Sequence, residues 1–205
     1  MMYIFIVCLL VIFSLYLINT PKLKVFRDKH KRTFEFSISL ISTFTGFFVA
    51  LSLTTILSDS TQKKNLVKLL NATNLSIESS EMRVNGMYLN PAKKGADLNE
   101  LIQQAPVEMP KLYNGLENNA LVSDHFSSNA FQAYILCSDN METFVANVNA
   151  ATVSPEKKIE MLNQYLKYLN LAKQINALEI NKLNGDISQS KEDEEIKKLT
   201  EQINK

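Results

Sequence analysis

The sequence predicts an all-α protein in which a two-helix transmembrane anchor is followed by a small helical bundle domain. Three observations predict this fold class. Residues 1–21 and 36–58 contain no charged side chain. Glycine and proline are scarce, at five each, which favours long helices over strands and turns. Beyond residue 58, apolar residues recur at the three- and four-residue spacing of amphipathic helices, and no run shows the alternation typical of a strand.

Residues 1–18 are predicted to form the first transmembrane helix. A helix of this length covers about 27 Å, close to the hydrocarbon core of a bilayer at about 30 Å. Tyr3 and Tyr16 lie near its two ends, where aromatic rings favour the headgroup region. A cleaved signal peptide would need a basic segment before the apolar run and a small-x-small cleavage site. Neither is present, so an uncleaved anchor is predicted.

Residues 36–57 are predicted to form the second transmembrane helix. A buried helix of a soluble domain is the alternative, but a long uncharged run directly after a basic segment favours the membrane. Small residues recur at every fourth position and share one face: Ser42, Gly46, Ala50 and Thr54. Because small residues let helix backbones approach closely in lipid, this face is predicted to pack on the first helix. The alternatives are a homodimer seam or the lining of a pore.

Residues 19–35 are predicted to be a basic juxtamembrane loop. Its cations are Lys22, Lys24, Arg27, Lys29, Lys31 and Arg32. Basic residues next to transmembrane helices are retained in the cytoplasm, which predicts that both termini and the C-terminal domain are extracytoplasmic. We expect the loop to contact anionic lipid headgroups, at about 1 kcal/mol per nearby cation. The sequence therefore predicts a two-span protein of the plasma or inner membrane.

Residues 58–190 are predicted to form the helical soluble domain. A helix is expected to continue from the membrane segment to residue 89, with a break near residues 71–74, and to end at Asn90-Pro91. Asp97 is expected to cap a short helix that runs through Gln104. Residues 111–119 are expected to form another short amphipathic helix.

Two long antiparallel helices are expected to form the core of this domain. The first carries an apolar stripe from Phe126 to Val148. The second is expected to begin at Ser154-Pro155 and to end at Gly185. Residues 191–205 are predicted to be a charged helical tail, solvated by default or alternatively offering an apolar strip to a partner.

Cys137 with His125 is the best catalytic candidate, since a thiolate nucleophile needs a base within hydrogen-bond reach. Their separation of twelve residues corresponds to about 18 Å along a straight helix. Cys137 also lies on the apolar stripe, so a buried core thiol is the preferred interpretation.

The other chemical signals are weak. The sequence contains no Cys/His cluster, no glycine-rich phosphate loop and no HExxH motif, so no enzyme, metal site or cofactor is predicted. Its net charge of +1 argues against a nucleic-acid partner. Six carboxylates of the two long helices are expected to be mostly solvated: Asp124, Asp139, Glu142, Glu156, Glu160 and Glu179.

The leading functional hypothesis is a membrane-anchored helical interaction module: a sensor, a scaffold or an accessory subunit of a membrane complex. Its expected partners are the bilayer and either a second copy or another membrane protein. The alternative is a self-assembling membrane effector that forms a pore. A membrane-tethered enzyme built around Cys137 is the third hypothesis.

Overall fold

The computed structural model describes residues 9, 11–12, 16, 20, 28–116 and 118–203. Over these residues the regular structure is entirely helical, which confirms the predicted all-α class for this part of the chain. The predicted first transmembrane helix, residues 1–18, lies outside the described residues apart from four isolated positions. So do Lys22, Lys24 and Arg27 of the predicted basic loop.

Helix α1 spans Lys31–Arg83 and is followed by a π-helix at Val84–Leu89 and a short helix α2 at Asn90–Lys93. The remaining helices are α3 (Leu98–Gln104), α4 (Ala120–His125), α5 (Ser128–Asn149), α6 (Pro155–Asn184) and α7 (Gln189–Ile203). The chain divides into two units, Met1–Gln62 and Lys63–Lys205. The predicted domain 58–190 and the predicted tail 191–205 therefore fall into the same unit, apart from residues 58–62.

The first unit contains the apolar part of α1, which is the one helix of the described residues that is long and apolar enough to cross a membrane. None of the residues in its most apolar stretch is buried. Its large exposed side chains are Phe36, Leu40, Phe44, Phe47, Val49, Leu51, Leu53, Ile56 and Leu57. Helix α1 begins at Lys31, so residues 31–35 are helical and the predicted loop of residues 19–35 is wrong at its C-terminal end. These five residues include no glycine or proline that would interrupt a helix.

Two predicted interruptions of the helix after residue 61 are also wrong. Asn74 lies inside α1, and its Oδ1 accepts a hydrogen bond from Asn176 Nδ2 at 2.8 Å. Because this oxygen is already bonded, it does not accept from nearby backbone N–H groups in place of the helical hydrogen bonds. Pro91 lies at the start of α2. The preceding π-helix carries the Asn90 N–H to the Asn85 carbonyl, and this wider turn makes room for the proline ring that an α-helix would exclude.

The core of the second unit is formed by α5 and α6, which run antiparallel as predicted. The start of α5 contacts the end of α6 through the Ser127 N–H, which donates to Glu179 Oε1 at 3.0 Å. Further along the pair, the ring of Phe144 near the end of α5 lies 5.6 Å from the ring of Tyr168 at the middle of α6. The predicted caps of α6 are confirmed, because Ser154 is its N-cap and Gly185 ends it at φ 84°, a left-handed conformation that only glycine adopts without strain.

The predicted short helix at residues 111–119 is wrong, because the described residues of this segment form turns. The Tyr113 N–H donates to the Pro110 carbonyl, and the Leu116 N–H donates to the Tyr113 carbonyl. The Tyr113 hydroxyl donates to the Tyr134 carbonyl at 3.1 Å. This hydrogen bond holds the segment against α5. Side-chain anchoring here outweighs the weak amphipathic pattern of a segment that contains Gly115.

The first long core helix, α5, begins at Ser128, two residues after the predicted start of its apolar stripe at Phe126. Helix α4 ends at His125 and α5 begins at Ser128. Ser127 is extended and its side chain accepts a hydrogen bond from the Ala130 N–H, so it acts as an N-cap. His125 therefore lies at the C-terminal end of α4, three residues before α5 begins.

Candidate functional site

The predicted packing face of the apolar helix is uncovered. Ser42, Gly46, Ala50 and Thr54 are all exposed. A Cβ built on Gly46 meets no atom of the described residues within 4 Å. Among the described residues, the small-residue face is therefore free to contact lipid or another molecule.

The half-buried side chains of this helix follow a different stripe. They recur at alternating spacings of four and three residues: Phe34, Ile38, Ile41, Thr45, Phe48 and Ser52. Such spacing marks one side of a helix. The side of the helix that is partly covered within the chain is thus not the side that carries Gly46.

The threonine hydroxyls of the apolar helix bond to the helix itself. Thr43 donates to the Ser39 carbonyl and Thr54 to the Ala50 carbonyl, both at 2.9 Å. Thr45 and Thr55 make the same bond to the residue four positions earlier. Because each donor is used internally, these hydroxyls present only acceptor lone pairs outward. These four hydroxyls therefore add no hydrogen-bond donor to the outer surface of the helix.

The described cations of the predicted lipid-contact segment are Lys29, Lys31 and Arg32, and all three are exposed. Lys31 Nζ lies 4.0 Å from Glu35 Oε1, with both side chains largely solvent-accessible. An exposed pair of this kind contributes little to stability. These cations are accordingly available to bind an external anion such as a lipid headgroup.

Cys137 is a buried core thiol, in line with the preferred interpretation. Burial raises the pKa of this thiol to about 12, although the neighbouring Tyr113 hydroxyl opposes the rise. The rings of Tyr113 and Tyr134 stack beside it, with centroids 4.1 Å apart. Since the thiolate is the nucleophile, this environment opposes the proposed role of Cys137 in a membrane-tethered enzyme.

We expect Cys137 in a Cys8→Ser background to react with maleimide at pH 7 at least about a thousandfold more slowly than an exposed thiol, because the thiolate fraction is so small. The comparison is a Ser128→Cys variant, which places an exposed thiol on the same helix. Mass spectrometry measures both labelling rates, and a denaturant should make them equal. Rapid labelling of Cys137 in the folded protein would contradict the assignment.

A buried ion cluster joins three helices of the second unit. It consists of Glu179 and Lys182 at the end of α6 and Glu192 at the start of α7, and we call it the Glu179–Lys182–Glu192 cluster. Lys182 Nζ lies 2.6 Å from Glu179 Oε2 and 3.5 Å from Glu192 Oε2, while both carboxylates are 0% exposed. The lysine also donates to the His125 carbonyl at 3.0 Å. The cluster therefore fastens the ends of α4, α6 and α7 to one another.

If both carboxylates and the ammonium of this cluster are ionised, their charges sum to −1. Burial raises the pKa of Glu179 to about 7, Lys182 lowers it, and the neighbouring Glu192 carboxylate raises it again. When the Glu179 carboxyl is protonated, the cluster carries zero net charge, which suits its buried position. Within the Glu179–Lys182–Glu192 cluster, Glu179 is thus a carboxyl whose protonation changes near neutral pH.

This cluster was missed by the sequence prediction, which expected Glu179 and the tail to be solvated. The other five predicted solvated carboxylates are exposed, but Glu179 is not. Helix α7 packs on the core through Ile196, which is buried, and Leu199, which is half-buried. The prediction of a solvated tail is therefore wrong, since its apolar side is covered by the chain's own domain. A signal did exist: Glu179 continues the buried stripe of Leu169, Ala172 and Asn176 at three- and four-residue steps.

Comparison with protein-family models, with curated proteins and with solved structures gives no significant match to this chain. Its function is therefore inferred from the chemistry of its own residues.

Proposed function

We propose that this chain is a membrane-anchored helical interaction module, a sensor, scaffold or accessory subunit that assembles through contacts between helices in the bilayer. The observation that carries the proposal is the small-residue face of α1: Ser42, Gly46, Ala50 and Thr54 lie together on an uncharged helix and are all exposed. In lipid, such a face allows two backbones to approach and gain dispersion energy that bulky side chains prevent.

Membrane insertion is supported by the uncovered apolar surface of the helix. Large side chains such as Phe36, Phe47 and Leu57 are more than half exposed, at 68%, 58% and 66%. A contiguous patch of this kind is rare on soluble monomers unless a membrane or a partner covers it. We further propose a second span at residues 1–18 and an extracytoplasmic C-terminal domain, supported by the cations of residues 19–35.

The packing face is tested by a Gly46→Leu substitution in the full-length protein. A Cβ at this position meets no atom of the described residues within 4 Å, so we expect the fold to tolerate leucine there, whereas a second helix should no longer dock closely. We expect the apparent dissociation constant for self-association to weaken at least about tenfold, which corresponds to about 1.4 kcal/mol. Energy transfer between labelled copies in vesicles measures this equilibrium.

Thr55→Leu is the matched control, because nine residues place position 55 on the opposite side of the helix from Gly46. Thr55 is also exposed. Equal effects of the two substitutions, or a wild-type chain that remains monomeric and captures no membrane partner, would contradict the proposal. Topology is tested separately with a reporter after residue 205 that is active on only one side of the membrane. Activity on the cytoplasmic side would reverse the proposed orientation.

A further inference from the structure

Helix α7 is held on the second unit by few apolar contacts. Among its described side chains, Ile196 is the one large apolar side chain that is buried, and Leu199 is half-buried. A groove of about 450 Å³ lies between α5 and α7, with Leu136 on one side and Thr200 on the other. Helix α7 therefore covers its seat incompletely, and water can reach the contact from the groove.

The first turns of α7 also carry buried carboxylates that lack hydrogen-bond donors. Glu192 is 0% exposed. Both of its carboxylate oxygens and Asp193 Oδ1 are buried and have no hydrogen-bond partner within the described residues. A buried polar atom without a partner destabilises the contact that buries it. The docked position of α7 is accordingly opposed by its own acidic end.

The charged groups that face Glu179 come from three helices. Helix α6 contributes Lys182, α7 contributes Glu192, and α4 contributes His125, whose carbonyl accepts a hydrogen bond from the lysine. Before α5, the Ser127 N–H donates to the Glu179 carboxyl but carries no charge. One ammonium group thus faces two carboxyl groups, and one of these belongs to α7.

We propose that α7 is a pH-dependent latch, which stays docked while the Glu179 carboxyl is protonated and opens as a unit, ahead of the rest of the bundle, when this carboxyl is ionised. Lys182 balances only one of the two resulting charges. Release of α7 separates Glu192 from Glu179 and leaves Glu179 paired with Lys182, three residues away on α6. The non-helical residues 185–188, which join α6 to α7, act as the hinge.

The direction of the pH dependence follows from proton binding. With α7 docked, burial and then the neighbouring Glu192 carboxylate raise the pKa of Glu179 from 4.5 to about 7. Release of α7 removes this neighbour and admits water, so the pKa returns toward 4.5. Between these values the docked state binds a proton that the released state does not. The fraction of released α7 therefore rises by up to about tenfold per pH unit over this interval and levels off above pH 7.

Hydrogen–deuterium exchange of the full-length protein in detergent, between pH 5 and pH 8, tests the latch. After correction for the intrinsic pH dependence of exchange, we expect the protection of α7 amides to fall roughly a hundredfold from pH 5 to pH 7. At every pH, α7 should be at least about tenfold less protected than the middle of α5, because it opens without the bundle. Protection of α7 that is independent of pH, or equal to that of α5, would overturn the proposal.

Four variants assign the effect. Glu179→Gln keeps the side chain uncharged, so the fall in α7 protection should disappear. Glu201→Gln changes an exposed carboxylate of α7, and His125→Gln removes the neighbouring imidazole; both should keep the wild-type fall. Ile196→Ala should lower the protection of α7 at least about tenfold at each pH without changing its pH dependence. A fall that persists in Glu179→Gln, or that disappears in His125→Gln, would overturn the assignment to Glu179.

Discussion

Replacing Lys182 by methionine is expected to lower the free energy of unfolding by about 3–5 kcal/mol, because it leaves two buried carboxylates without their cation. Lys182 is the group that lies within 4 Å of both Glu179 and Glu192. Methionine fills a similar volume but cannot donate a hydrogen bond, so the His125 carbonyl also loses its donor. The effect should be far larger than that of a typical surface substitution.

Urea unfolding in detergent measures this change. The chain contains no tryptophan, but the stacked rings of Tyr113 and Tyr134 give a near-ultraviolet circular dichroism signal that depends on the folded core. Lys167→Met is the control, since Lys167 is exposed on the same helix and its replacement should cost less than about 0.5 kcal/mol. A Lys182→Met protein as stable as the control would show that the Glu179–Lys182–Glu192 cluster contributes nothing.

The stability of the protein is expected to fall between about pH 4.5 and pH 7 because of Glu179. Its pKa is raised from 4.5 to about 7 in the folded protein. Over this interval the unfolded chain releases the proton while the folded chain keeps it, so the folded state binds more protons and loses relative stability as the pH rises. A displacement of this size corresponds to roughly 3 kcal/mol, present below pH 4.5 and lost by pH 7.

Glu179→Gln isolates this contribution from other titrating groups. The charged or titratable groups that face Glu179 are Lys182 and Glu192, and the His125 imidazole lies on the segment that Lys182 holds. Glutamine mimics the protonated carboxyl, because its oxygen can still accept from the Ser127 N–H and its amide can donate to Glu192. The free energy of unfolding of the variant should therefore lack the decline that the wild type shows.

Urea unfolding at several pH values between 4 and 8 provides the comparison. Glu160→Gln is the matched control, since Glu160 is exposed on the same helix, and it should keep the wild-type decline. If the wild type and Glu179→Gln change in parallel across this range, Glu179 does not hold its proton in the folded state.

Local signals account for the parts of the fold that the sequence predicted correctly. Asp97 caps α3 through a hydrogen bond to the Asn99 N–H, Ser154 caps α6 and Gly185 ends it. Each of these features depends on residues within a few positions along the chain, so composition and spacing suffice to predict them. The apolar stretch of α1 belongs to the same class, because its length and lack of charge are properties of one segment.

The predictions of secondary structure were wrong where contacts between residues distant in sequence decide whether a segment is helical. The segment at residues 111–119 does not form the helix that its weak amphipathic periodicity predicted, because the Tyr113 hydroxyl binds it to the Tyr134 carbonyl of α5. Asn74 stays helical because Asn176 engages its side chain. In both cases a contact between residues far apart in sequence outweighs a local preference of a few tenths of a kcal/mol.

The buried side of α6 shows the same division within one helix. Its apolar residues Leu162, Tyr165 and Leu169 follow a regular spacing that can be read from the sequence, and the polar residues that continue this spacing are Lys158, Asn176 and Glu179. The sequence by itself therefore determined the helix, its caps and its apolar stripe. Only the tertiary structure decided that the three polar residues lie inside. Burial of a polar group is tolerable when another segment supplies a partner, as Asn74 does for Asn176 and the Ser127 N–H does for Glu179.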